Sequence, residues 1–227
     1  MSNYVVAGQH EWNRTEFLEA RLHHEWSYVS TPDALTAAAL HEAQPRFVFF
    51  LHWSHRVPDD VVAEFECVNF HMTDLPEGRG GSPLQHLIAS GATDTVLTAF
   101  RMTNEFDAGP IYLKHPLSLE GTAEAIYARS SRIALSMALE IARSEPTPHA
   151  QDGTATTTRR RKPADSDIRP LTNLDDVYDA IRMVDASGYP HAFLESGEFR
   201  YEFRRAARYG DSVEATVRIT RAAQEGS

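Results

Sequence analysis

Cys67-Val68-Asn69-Phe70-His71-Met72-Thr73-Asp74-Leu75-Pro76-Glu77-Gly78-Arg79-Gly80-Gly81-Ser82-Pro83 decides how the chain is read. An apolar, strand-like run from Phe65 to Phe70 ends inside it, a Pro/Gly-rich loop follows, and a helix signal opens at Ser82-Pro83. Residues two apart in a strand share a face. Asn69 and His71 therefore project together, an amide beside an imidazole, at a strand's C-terminal end. In open α/β sheets that end is where ligands bind.

Upstream, Tyr4 to Gly8 and Trp26 to Val29 read as short strands, with a helix from Trp12 to Leu22 between them. Thr31-Pro32-Asp33 is a helix-start signal, which predicts a helix to about Ala43, stopped by Pro45. Phe47 to Leu51 is a continuous apolar run, the pattern of a parallel strand buried on both faces. A loop, His52 to Pro58, and a short helix, Asp59 to Glu64, lead into the Asn69 strand. This alternation is that of a Rossmann-like α/β sheet.

Downstream, a helix is expected from Ser82 to Ser90, with Ser82 as its N-cap. Strands over Asp94–Arg101 and Ile111–Leu117 are close enough to pair as a hairpin, and a long amphipathic helix runs from Thr122 to Ala142. Residues 144–158 are polar, Pro/Thr-rich and aperiodic, as in an exposed linker. A helix over Asn173–Met183 and short strands at Ala192–Leu194 and Phe199–Phe203 form a small α+β appendage, to which Ser212–Thr220 adds a strand. The expected organisation is a Rossmann-like, mostly parallel catalytic domain over residues 1–145, a junction over 146–170, and a C-terminal α+β subdomain over 171–227.

The 227 residues carry a formal net charge of −10, which argues against a nucleic-acid footprint. The single cysteine, Cys67, excludes a disulfide framework and a Cys-rich metal site. The 11 histidines include no His-x-x-x-His pair of the zinc-protease kind, so no metal is expected. No signal-peptide pattern or membrane-length apolar run is found, and the default location is the cytoplasm. The apolar appendage and the strand from Ser212 point to a homodimer.

The order of Asn69, His71, Leu75-Pro76, Arg79-Gly80 and an Asp107-x-Gly109 turn resembles the folate-dependent formyltransferases, most of all the sugar-nucleotide N-formyltransferases. Arg160-Arg161-Lys162-Pro163 with Asp165 is similar to that family's junction segment, and the resemblance covers roughly Tyr4 to Arg205. The chain departs from the pattern of the tRNA-directed members in Gln9-His10-Glu11-Trp12 and in Thr73-Asp74.

The resemblance implies an acyl transfer from N10-formyltetrahydrofolate. A neutral amine attacks the formyl carbon, a tetrahedral oxyanion needs donors, and a proton must leave the nitrogen. Asn69 can donate to the oxyanion, and either His71 or Asp107 can take the proton. By the same resemblance Phe50, Leu51, Trp53, Val57, Met102, Thr103 and Phe106 wall the folate. Met72, Thr73, Arg79, Gly80 and Tyr189 meet the acceptor, expected to be a nucleotide-linked amino sugar such as a dTDP-linked 3-amino- or 4-aminodeoxyhexose. Arg79, Arg132 or the 159–162 cluster would contact its diphosphate. Two alternatives stand beside this: formylation of another small amine, such as a siderophore or antibiotic precursor, and a Rossmann-like binding protein without catalysis. Against the latter, Gly8-Gln9-His10-Glu11 lacks the Gly-x-Gly-x-x-Gly of pyrophosphate binding.

Overall fold

The computed structural model describes residues 3–222. The first half alternates β1 (Asn3–Gly8), α1 (Glu11–Glu19), β2 (Trp26–Val29), α2 (Ala37–Ala43), β3 (Pro45–Leu51), α3 (Asp59–Glu64) and β4 (Cys67–His71). Then come β5 (Arg79–Gly80), α4 (Pro83–Ala89), β6 (Asp94–Arg101), β7 (Ile111–Ser118), α5 (Ala123–Ser144) and β8 (Thr157–Thr158). The C-terminal part holds α6 (Leu174–Arg182), β9 (Ala192–Ser196), β10 (Phe199–Tyr209) and β11 (Ser212–Arg221). Among the described residues no helix is long and apolar enough to cross a membrane.

Six strands form one sheet in the order β2-β1-β3-β4-β6-β7. The first four are parallel, β6 is antiparallel to β4, and β7 returns antiparallel to β6. The strand order reverses between β1 and β3, which opens a crevice at their carboxyl ends. The two faces of the sheet carry two cores. Val5, Ala7, Val48, Phe50 and Cys67 pack with Leu35, Leu40 and Val61 on the α2/α3 side. Val6, Phe47, Phe49, Leu51, Val68 and Phe70 pack with α4 and α5 on the other. The strict alternation along β3 and β4 is the period-2 rule applied to strands covered on both faces. It places Asn69 and His71 on the Cys67 face, at the β4 terminus.

The helix expected over Thr31–Ala43 is broken. Thr31 opens only a 3-10 turn, Pro32–Ala34. Leu35 then sinks into the core, and Thr36 caps α2 by accepting the Ala39 N–H at 3.2 Å. The chain has two N-cap threonines five residues apart, and burial of Leu35 selects the second. Ser82 holds the N-cap position of α4 ahead of Pro83, but its hydroxyl does not cap: Oγ accepts the backbone N–H of Arg161 at 3.0 Å.

The polar stretch expected as a linker is exposed along most of its side chains, yet its backbone is anchored. Ile111 and His149 exchange backbone hydrogen bonds of 2.7 and 2.9 Å, and Thr157–Thr158 pair in parallel with Arg79–Gly80. The C-terminal part shares the main core through Ile181, Met183, Val184, Ala186 and Ala192. In its sheet, β11-β10-β9, β10 runs well past the Phe199–Phe203 expected, to Tyr209, and β11 (Ser212–Arg221) lies where a strand over Ser212–Thr220 is expected.

Candidate active site

β4 delivers Asn69 and His71 to one end of a cavity of about 910 Å³ at the carboxyl edge of the sheet. Asp107 reaches the same cavity from the β6–β7 connection. It sits in the left-handed region at φ +51°, which an Asp tolerates because its short side chain bonds locally. Gly109 turns the chain back so tightly that an added Cβ would stand 1.8 Å from Arg101 O. His71 and Asp107 are buried, at 7% and 8% exposure, while Asn69 is half-buried.

The hydrogen bonds assign the groups. His71 Nε2 lies 2.8 Å from the carbonyl of Gly78, which can only accept, so Nε2 carries the proton. Nδ1 is then the nitrogen left for chemistry, and it faces Asp107 Oδ2 at 3.8 Å. That separation exceeds a hydrogen bond. A lone pair therefore faces a carboxylate across a gap that a substrate N–H or a proton on Nδ1 would bridge. Asp107 Oδ2 also accepts the Gly80 N–H at 2.8 Å, which fixes the carboxylate's rotamer. Asn69 Oδ1 accepts the Phe70 N–H at 3.0 Å, and this orients the NH₂ group as a donor beside the cavity.

The loop that supplies these contacts is clamped by the segment after α5. Gly78 N–H donates to Thr156 Oγ1 at 2.8 Å, and Gly81 N–H donates to Thr158 O at 3.1 Å. Gln151 Nε2 donates to the carbonyls of Asp107 and Gly109 at 2.8 and 2.9 Å. Gly80, at φ +109°, could not be replaced without driving a Cβ to 2.3 Å from Thr158 O. The peptide between Leu75 and Pro76 is cis.

Phe50, Trp53, Val57, Met102, Thr103 and Phe106, expected to wall the folate, all line the cavity, as do Met72, Gly80 and Tyr189. Three expected residues do not. Leu51 belongs to the opposite core, one residue out of register with Phe50. Thr73 is buried beneath the loop. Arg79 turns away to Gln151 Oε1 at 2.7 Å and Glu105 at 3.5 Å. Arg132 is likewise absent from the lining and pairs with Glu16 at 2.9 Å. The apolar end is lined by aromatic rings. Phe50 and Trp53 pack edge-to-face at 6.0 Å, and the Trp53 Nε1–H is a buried donor with no partner among the described residues. Among those residues no cluster of three or more His, Cys, Asp or Glu side chains could hold a metal ion.

Of the aromatic residues stacked at another end of the cavity, only Tyr189 is among the site residues that the sequence singles out. His10 stacks on Trp12 at 4.2 Å, Trp12 on Tyr127 at 5.3 Å, and Tyr127 on Tyr189 at 5.4 Å. His52 lies beneath, in the left-handed region at φ +49°, between Asn13 Nδ2 at 3.0 Å and Ser130 Oγ at 3.2 Å. Burial, helped by the nearby His10, pushes the His52 imidazole down to about 3, so it is neutral at physiological pH. Only the position of His52 after a buried strand draws attention to it in the sequence; its partners lie 39 and more residues away.

Two family models match. One described as "Formyl transferase" covers residues 14–139, and one described as "Methionyl-tRNA formyltransferase, C-terminal domain" covers residues 163–220. The structure is similar to a methionyl-tRNA formyltransferase from Clostridium thermocellum at 38% identity and TM-score 0.93, over 98% of this chain and 100% of that one. A sugar N-formyltransferase from Shewanella sp. FDAARGOS_354 shares the fold at TM-score 0.67 and 13% identity, over 92% of this chain and 99% of that one. A methionyl-tRNA formyltransferase of Aromatoleum aromaticum is 32% identical over 117 residues, or 51% of this chain and 34% of that protein. The chain thus spans about a third of the length of such curated relatives.

Proposed function

Because the chain belongs to the folate-dependent formyltransferase superfamily, we propose that it transfers a formyl group from N10-formyltetrahydrofolate to a primary amine, and that the amine is carried by a nucleotide-linked sugar. The observation that carries the chemistry is the convergence of Asn69, His71 Nδ1 and Asp107 Oδ2 on one buried cavity end, with 3.8 Å between the last two. The amine attacks the formyl carbon, and Asn69 Nδ2 donates to the oxyanion that develops. The amine's surplus proton passes to His71 Nδ1, and Asp107 stabilises the imidazolium so formed. Collapse of the tetrahedral intermediate expels the folate nitrogen, which receives a proton from the same acid. Phe50, Trp53, Val57, Met102, Thr103 and Phe106 hold the pterin end of the folate; Met72, Gly80 and Tyr189 line the acceptor side.

A sugar nucleotide is favoured over a macromolecular acceptor by charge. Residues 163–220 contain seven Arg and no Lys against eleven Asp and Glu. Five of those arginines, Arg169, Arg182, Arg200, Arg208 and Arg218, already lie within 4.0 Å of carboxylates. Such a module offers few free cations for phosphate contacts along a nucleic acid.

The second reading is methionyl-tRNA, favoured by 38% identity to a protein of that name over its whole chain. A panel assay with N10-formyltetrahydrofolate separates them: formyl-methionyl-tRNA without turnover of dTDP-linked or UDP-linked amino sugars would replace the first reading by the second. Transfer to neither, but to a free amine such as a hydroxyornithine, would replace both.

A further inference from the structure

The basic run Arg159-Arg160-Arg161-Lys162 enters the cavity rim directly after β8. Its members are not equivalent. Arg159 is neutralised by Asp165, bidentate at 2.7 and 3.0 Å. Arg160, Arg161 and Lys162 all line the cavity, and among the described residues none of them forms an ion pair. Arg161 is the most constrained. Its backbone N–H is held by Ser82 Oγ, its Nη2 donates to the Asp165 carbonyl, and its Nε is buried without a partner. A half-buried guanidinium whose Nε has no acceptor is an unfavourable arrangement in the free protein. Burial pulls the Arg161 ionisation downward from its usual value, against the opposing pull of the nearby Asp165 carboxylate.

The position of this cluster ties it to the reaction centre. Thr158 pairs with Gly80, whose N–H holds Asp107 Oδ2. The next residue, Gly81, lies so close to Arg160 that an added Cβ would meet its Cα at 2.6 Å. The cations therefore sit beside the Asp107 end of the cavity, away from the apolar wall of Phe50, Trp53 and Val57 on the other side of β4. Gly188, Tyr189 and Pro190 line the same cavity and add an aromatic face.

We propose that Arg161, flanked by Arg160 and Lys162, is the subsite for the phosphate groups of the acceptor, with Tyr189 offering a stacking face for its nucleoside. This rests on the reading of the cavity as a formyl-transfer site, and it selects one of the three arginine locations that the sequence leaves open. Arg79 and Arg132 are excluded by their existing partners. Guanidinium forks and an ammonium match phosphate oxygens, and a phosphate would supply the acceptor that Arg161 Nε lacks. The same oxyanion chemistry could be supplied by the carboxylates of the folate's glutamate tail, so the test separates the two sources.

The test measures binding of inorganic pyrophosphate and of dTDP by calorimetry at low salt, for the wild type, Arg161→Met and the double variant Arg160→Ala/Lys162→Ala. Met keeps the apolar stem and removes the charge. Both variants are expected to bind pyrophosphate and dTDP about tenfold or more weakly, the loss expected for charge-assisted hydrogen bonds. Affinity for 5-formyltetrahydrofolate, as monoglutamate and as triglutamate, should stay within about twofold. Should Arg161→Met fail to fold, as read by its thermal transition, the double variant carries the test. Unchanged pyrophosphate and dTDP binding overturns the proposal. Loss confined to the triglutamate assigns the cations to the folate tail and overturns it equally. Failure of the underlying reading looks different: the wild type would then transfer formyl to no amine, whatever the binding of pyrophosphate.

Discussion

Asp107→Asn isolates the charge in the centre from its geometry. Asn retains an oxygen that can accept the Gly80 N–H, now at 2.8 Å, and it tolerates the left-handed φ of +51°. Folding should therefore survive. What disappears is the carboxylate 3.8 Å from His71 Nδ1. At an effective dielectric of about 20, an imidazolium and a carboxylate at this separation attract by about 4 kcal/mol. Each 1.4 kcal/mol is about a factor of ten, so losing that support in the transition state would slow transfer by roughly a thousandfold. The assay is the steady-state appearance of tetrahydrofolate with a saturating acceptor, with the thermal midpoint measured alongside. A kcat within about fivefold of wild type, with unchanged stability, would refute the argument that Asp107 stabilises charge on His71. Asp107→Ala serves as the structural control. It strands the Gly80 N–H and should lower stability by about 1–3 kcal/mol in addition to the loss of rate.

Asn69→Ala is expected to lower kcat by about 10²–10³ with a smaller change in folate affinity, as removal of one oxyanion donor does; an effect confined to KM would move Asn69 from the oxyanion to substrate holding. Gly109→Ala should cost activity more than stability, because a Cβ 1.8 Å from Arg101 O forces the Asp107 turn outward, and a variant with full activity would contradict so close an approach of that turn to β6. His52 gives a pH test of stability. Its folded-state value of about 3 lies below the ordinary 6.5, so the unfolded chain binds a proton that the native chain does not. Stability should then fall as pH drops from about 6.5 toward 3, by about 1.4 kcal/mol per unit from this group, with no contribution above 6.5. His52→Gln should flatten the urea-midpoint profile over that window, and an unaltered profile would show that His52 is not the buried neutral group. β11 is an edge strand with Val217 and Ile219 exposed at 43% and 58% on one face; if it pairs two copies, light scattering will give a dimer for wild type and a monomer for Val217→Lys/Ile219→Lys, whereas a monomeric wild type would remove the dimer.

The parts of the fold legible in the sequence are those whose signal is local. The β3 run Phe47–Leu51 and the Asn69/His71 pair depend only on the strand period, and both lie where that period places them. The same rule also explains an error: Leu51 cannot join Phe50 as a folate wall, because adjacent strand residues face opposite sides. The helix start at Thr31-Pro32 is locally sound and wrong in extent, because burial of Leu35 is a tertiary event that the cap signal does not encode.

What the sequence hides is the clamp. Residues 144–158 read as a polar, aperiodic stretch, since hydrogen bonding through backbone and single side chains leaves no periodicity. Yet Gln151 holds the Asp107 turn through two carbonyls, Thr156 holds Gly78, and Thr158 holds Gly81. The three groups of the reaction centre thus come from two elements, β4 and the β6–β7 turn, and a third segment sets the distance between them. Arg161 belongs to that third segment, and its N–H occupies the Ser82 hydroxyl that would otherwise have capped α4. Displacing the segment would therefore disturb Asp107 and the phosphate subsite together. On this arrangement an acceptor whose phosphates engage Arg161 also buttresses the strand pair that holds Gly80 against Asp107, so part of its binding energy can be expressed as alignment of the reacting groups.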